Sequence, residues 1–174
     1  MPISPGKLSV LVCQNFACIK IGGRANYISS PDFKTLLNEL AAKGYRRFII
    51  DLSECVLMDS TFLGVLSGFG MKLNPIGTPD TSGIELLNVN ARVAELLENL
   101  GAIHLFKVTD GELQLPDDVK DCTPESINPS REEITRTSLE AHKTLMAVNP
   151  ENVARFKDVA QFLAEDLKNL QKPS

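Results

Sequence analysis

Tryptophan is absent and histidine occurs only twice in 174 residues. Catalysis or metal binding built on imidazole therefore has little to draw on. The four cysteines, Cys13, Cys18, Cys55 and Cys122, include no C-x-x-C pair, which speaks against a zinc site, and no other metal site is expected. No apolar run approaches the length of a membrane span, and no segment resembles a signal peptide. The expectation is a cytoplasmic protein with reduced thiols and no membrane partner. Basic residues are not in excess: 18 Lys and Arg stand against 22 Asp and Glu, a net charge of −4. Direct nucleic-acid binding, which needs basic patches to neutralise phosphates, is not expected. The G-x-S-x-G elbow of hydrolases, the P-loop and the dinucleotide fingerprint are also missing.

What is present is an ordinary globular composition, 43% hydrophobic and 23% charged. The charge has structure. Residues 1–110 balance, residues 131–174 balance, and the whole deficit lies in 111–130, where Glu112, Asp117, Asp118, Asp121 and Glu125 face Lys120 alone. That stretch also holds Pro116, Pro124 and Pro129. Like charges and prolines oppose a packed element, so the expected division is a domain over 1–110, an acidic linker over 111–130 and an appendage over 131–174.

In the first part, Leu8, Val10 and Val12 alternate as in a half-buried strand, and Gln14-Asn15 turns into a second strand from Phe16 to Ile21, broken by Gly22-Gly23. Ser30-Pro31 opens a helix with Phe33, Leu36, Leu37 and Leu40 on one face, ended by Gly44. Phe48-Ile49-Ile50 is a continuous apolar run suited to a central strand. Asp51 to Met58 reads as strand exit and loop. A helix follows from Asp59-Ser60 to Leu73, with Leu63, Leu66 and Leu73 inward and Gly64, Gly68 and Gly70 allowing close packing on a sheet. After a turn-rich loop over 74–82, Ile84 to Val89 is a strand, Asn90 caps a third helix, and Ile103 to Val108 is a last strand. Strands separated by single helices imply an α/β fold: a mixed, mostly parallel sheet of about five strands with helices packed on it. Ile49, Ile50, Leu63, Leu66, Leu86 and Leu97 are the expected core.

In the appendage, Ser130-Arg131-Glu132-Glu133 is a capping box ahead of a periodic segment. Asn149-Pro150 stops one helix and starts another, and Val153, Phe156, Ala160, Leu163, Leu167 and Leu170 repeat at the spacing of a helix seam. A two-helix hairpin this small has no core of its own, so it docks on the body or on a second copy, which makes it a candidate homodimer contact.

His104 and His142 have no nucleophile or ligand neighbour in sequence and read as structural. The cysteines read as core fillers. Asp51 and Asp59 lie at or beyond the end of the central strand, where open sheets bind ligands, and acids there also serve turns and caps. Ser60 opens a helix after a strand and loop. It reads equally as a helix cap or as a phosphoacceptor, since helix amides favour a phosphoryl group while the adjacent Asp59 repels it.

The order of elements and the segment Phe48-Ile49-Ile50-Asp51-Leu52-Ser53, continued by Met58-Asp59-Ser60-Thr61-Phe62-Leu63-Gly64, resemble the STAS domain family of bacterial anti-sigma factor antagonists over about residues 5–110. The resemblance implies a binding module rather than an enzyme, with no cofactor. It implies that Ser60 is phosphorylated by a partner serine kinase that is also the anti-sigma factor, and is reset by a serine phosphatase. Arg24, Asn26, Asp59, Ser60, Thr61 and Phe62 are then the partner-binding residues. Two departures from the family pattern stand out: Phe62 replaces the usual glycine and alters the rim of the site, and Arg24 and Asn26 stand where an acidic residue is usual. A non-enzymatic scaffold of a stress-signalling assembly is the alternative role.

Overall fold

The computed structural model describes residues 6–73 and 83–173; the loop expected over 74–82 lies outside the described residues. Strands β1 (Lys7–Val12) and β2 (Ala17–Ala25) form the expected antiparallel hairpin, with Lys7 opposite Gly22 and Val12 opposite Ala17. Strands β3 (Arg47–Asp51), β5 (Gly83–Leu87) and β6 (Lys107–Thr109) add in parallel beside β2, and with β7 (Lys120–Asp121) the order is β6-β5-β3-β2-β1-β7, while β4 (Cys55–Met58) pairs with β2 off this path. Parallel neighbours need crossovers, and these are α1 (Ser30–Ala42), α2 (Ser60–Leu73) and α3 (Ala91–Asn99). Two further helices, α4 (Arg131–Val148) and α5 (Glu151–Gln171), complete the fold. The protein is thus α/β with a mixed sheet and a C-terminal helix pair.

The sheet has seven strands rather than about five, and the two extra ones are short. β4 spans four residues, and β7 (Lys120–Asp121) spans two and pairs antiparallel with β1. The segment read as a linker therefore supplies an edge strand. Its charge and prolines keep the strand short, but β1 has free edge groups to satisfy. The Cys122 N–H donates to the Val10 carbonyl and the Val10 N–H to the Thr123 hydroxyl, 2.9 and 3.0 Å. The last strand is also shorter than expected: Ile103–Leu105 form a 3₁₀ turn that includes His104, and only Lys107–Thr109 pair.

One face of the sheet carries the helices. Val10, Ile19, Ile21, Phe48, Ile50 and Leu86 point into the main core, where Leu37, Leu63, Leu66 and Leu97 meet them. The opposite face carries a small cluster of Cys13, Phe16, Cys18, Ile49 and Leu87. All six expected core residues are buried. Helix α2 departs from expectation: it is buried on two sides, from Thr61 to Gly70 with only Gly68 partly exposed. The sheet covers one side and α4 the other. Gly64 does not serve packing on the sheet. A Cβ built there would lie 2.5 Å from the Ala141 Cβ of α4. Glycine permits this crossing because it has no side chain to interpose, which offsets its poor helix propensity.

The helix pair folds as a hairpin. Ser130 caps α4 by accepting from the Glu133 N–H, as the capping box predicts. Asn149 Oδ1 accepts from the Glu151 N–H at the joint. Arg131 pairs with Asp166 across the hairpin, and Ala160 is buried in the seam while Phe156, Leu163 and Leu167 are half-buried. The joint is tied to the body: Asn152, fully buried, donates from Nδ2 to the carbonyls of Leu100 and Leu145, and Arg155 donates to that of Asn99.

Candidate functional site

The site grows from the far end of β2. The strand does not break at Gly22-Gly23 but continues to Ala25, with an irregularity at Gly23, which adopts φ +75°. Beyond that point its partner is β4, in parallel, with Arg24 opposite Leu57 and Ala25 opposite Met58. This pairing, in a stretch read from sequence as loop, delivers Asp59 to the end of β2 and the loop that follows it. The Asp59 N–H donates to the Ala25 carbonyl at 2.9 Å.

Asp59, not Ser60, caps α2. Its Oδ1 accepts from the Phe62 N–H at 2.8 Å and its Oδ2 from the Tyr27 N–H at 2.7 Å. One carboxylate thus satisfies a free helix amide and staples the β2–α1 loop to the helix start. Burial raises the Asp59 carboxyl above its ordinary value of 3.8, and the backbone donors Phe62 and Tyr27 oppose the rise. Asn26 organises the same loop. Its side chain accepts from the Ile28 N–H, and its carbonyl accepts from the hydroxyls of Ser29 and Ser30. Those hydroxyls therefore do not cap α1, contrary to the role expected of Ser30.

With Asp59 as cap, the Ser60 hydroxyl is free of helix duties. It lies 2.9 Å from Nε2 of His142 on α4. The Nδ1 of His142 lies 2.7 Å from the Ser138 carbonyl. A carbonyl only accepts, so in the neutral ring Nδ1 carries the proton and Nε2 accepts the Ser60 O–H. The ring is buried and stands edge-on to Phe156, with centroids 4.9 Å apart. Sequence reasoning placed no partner beside His142, because the two residues are 82 positions apart and only the docking of α4 joins them. Serine, imidazole and anchoring carbonyl resemble the parts of a nucleophile–base pair. The cavity of about 240 Å³ between α1, α2 and α4, however, is lined by Gly64, Ala141 and Thr144 and not by this pair.

The other expected residues divide. Arg24 is half-buried on β2. Thr61 and Asn26 are buried. Phe62 does not form the rim. It is fully buried, stacked on Phe33 at 4.3 Å with 15° between the rings, because position three of the helix turns toward α1. Ser60 itself is half-covered rather than fully presented to solvent. Asp51 stands apart and accepts from the Ser53 N–H. His104 is exposed. Cys13, Cys18 and Cys55 are buried, with Cys18 pushed up to about 11 chiefly by burial, whereas Cys122 is exposed and not a core filler. No group of three or more His, Cys, Asp or Glu among the described residues is arranged to hold a metal, and no described helix is long and apolar enough to cross a membrane.

The family model of the STAS domain matches residues 7–114, from β1 past β6. The chain belongs to the STAS domain family. An anti-sigma-B factor antagonist of Staphylococcus aureus is 28% identical over 93 residues, 53% of this chain and 82% of that protein. An anti-sigma factor antagonist from Mycobacterium paratuberculosis has the same fold, with a TM-score of 0.53 at 16% identity over 63% of this chain and 88% of its own. A candidate antagonist from Thermotoga maritima superposes with a TM-score of 0.51 at 21% identity, over 62% and 86%. The STAS domain match stops before α4, so the helix that contacts Ser60 lies outside the part the family describes.

Proposed function

We propose that this STAS protein is a cytoplasmic binding module of the anti-sigma factor antagonist type, not an enzyme, and that Ser60 is its phosphoacceptor. The observation that carries the reading is the division of labour at the start of α2: Asp59 performs the capping, and Ser60, the first helical residue, has a hydroxyl that takes no part in capping and meets His142 instead. The similarity to a named anti-sigma-B factor antagonist supports an anti-sigma factor as the partner class; we read that partner as a serine kinase as well, with a serine phosphatase that resets the switch. In the forward step the γ-phosphoryl group of ATP passes to Ser60 Oγ. The bond to the ADP oxygen breaks, and the hydroxyl proton passes to a base of the kinase. About two negative charges then arise beside Asp59, where they oppose burial under a partner. Arg24, Asp59 and Ser60 form the partner-facing surface. Asn26, Thr61 and Phe62 act from beneath by holding the loop and helix start.

The test is phosphosite mapping after incubation with a candidate serine kinase and ATP, together with partner capture by Ser60→Ala and Ser60→Asp. Phosphate on Ser60, with capture kept by alanine and lost by aspartate, is expected. Phosphate confined to Thr61 or Ser67, or equal capture by both variants, overturns the assignment. A second reading, an oligomeric scaffold, is favoured by apolar side chains on α5 that no described residue covers, Phe162 at 69% exposure above all. It requires an assembly larger than the monomer in solution.

A further inference from the structure

Helix α4 seats on the stripe of α2 that begins at the phosphoacceptor. Ser60, Gly64 and Gly68 follow one another at four-residue spacing and so share a face. Each meets α4: Ser60 the His142 ring, Gly64 the Ala141 backbone and Cβ, and Gly68 the Thr144 side chain. Lys34 of α1 pairs with Glu140 alongside. The helix that covers Ser60 buries polar Thr135, Thr137, Ser138 and His142 together with apolar Leu139, Ala141 and Leu145. Such a mixed surface resembles interfaces that open and close more than one built of leucine alone does. The joint with α5 is anchored separately through Asn152 and Arg155 to the end of α3.

We propose that α4 is a built-in cover of the Ser60 site, and that the docked cover and a phosphoryl group on Ser60 exclude one another. A phosphoryl group places a phosphorus and three oxygens on Oγ. The 2.9 Å between Oγ and the imidazole is hydrogen-bond distance and leaves no room for them. Phosphorylation also removes the proton that Ser60 shares with Nε2. The docked helix therefore hinders the kinase and any partner that reads Ser60, and phosphorylation releases the helix. By linkage one coupling free energy governs both: docking disfavours the phosphorylated state by as much as phosphorylation disfavours docking. The second half of the proposal rests on the phosphoacceptor reading; the cover itself does not.

The experiment uses the full chain. Ser60→Cys is made with Cys122→Ser, so that the remaining cysteines are buried, and its alkylation by iodoacetamide is timed. Labelling is expected to be slow, and to accelerate by about 5- to 150-fold, the usual range of coupling between sites, when Gly64→Ala or Ala141→Leu wedges the two helices apart. Alanine favours helix at position 64, so α2 itself is not weakened. In parallel, amide hydrogen exchange over 135–145 is expected to be fast in Ser60→Glu and slow in Ser60→Ala. The cover is overturned by labelling at the rate of a free thiol in the undisturbed chain. It is also overturned by a rate that neither wedge changes, or by equal protection in the glutamate and alanine variants. The exchange comparison decides alone should neither wedge variant fold. The two proposals fail separately. A phosphorylated chain whose α4 stays protected sinks the cover and keeps the phosphoacceptor, whereas an opened Gly64→Ala chain that takes no phosphate on Ser60 sinks the phosphoacceptor and keeps the cover.

Discussion

Asp59, the half-buried cap of α2, and Ser67, within the helix, respond oppositely to burial. Asp59 has two backbone donors, and burial still raises its carboxyl above 3.8. A raised folded-state value means that the folded protein holds the proton more tightly than the unfolded chain. The contribution of Asp59 to stability is therefore fully present below the ordinary carboxylate value and is lost as pH rises through the raised one. Urea midpoints of the native chain minus those of Asp59→Asn are expected to be flat in acid and to fall across that window. A difference that rises with pH would contradict it. Ser67, by contrast, is fully buried with a hydroxyl that finds no partner among the described residues. Removing it leaves nothing unpaired and improves helix propensity, so Ser67→Ala is expected to raise stability by about 1 kcal/mol, read from the same denaturation curves.

Helix α2 is the element on which the fold turns. It lies between the sheet and α4, so its leucines and its glycines do different work. Leu66 is fully buried in the main core, and Leu66→Ala is expected to cost roughly 2–5 kcal/mol because it opens a cavity on the sheet side. A negligible shift in denaturation midpoint would mean that this side is not packed as described. Gly64 and Gly68 face the other way. The periodicity of the apolar residues made the helix and its sheet-facing side legible. The four-residue spacing of Gly64 and Gly68 puts them on one face, but it does not say what packs there, and the helix they contact lies far along the chain.

For the whole molecule, the appendage and the body are joined over α2, beside it at α1 through Lys34 and Glu140, and at the end of α3. Ending the chain after residue 130 is expected to leave the sheet and α1–α3 folded, since the main core is built mostly from them. It would uncover Gly64, Gly68 and their surroundings and so promote association, measured as an increase in mass in solution. Loss of all cooperative unfolding in the truncated chain would show instead that Ala141 and Leu145, which also contribute to the core, are indispensable to it.

The local signals determined the elements that have strong local causes. The alternation of Leu8, Val10 and Val12, the apolar run Phe48-Ile49-Ile50, and the caps Asn90 and Ser130 each act through neighbours a few residues away, and each was readable. Ser60 was legible as a candidate because it sits at a helix start, but its two possible duties were not separable. What removes the capping duty is tertiary. Short β4, with too few residues to show a period, pairs with the end of β2 and brings Asp59 to the loop amides, so the aspartate takes the cap. The burial of Phe62 under Phe33 and the meeting of Ser60 with His142 likewise depend on where separate helices come to rest. Contacts between residues far apart in sequence leave no local pattern, and only the folded chain decides them.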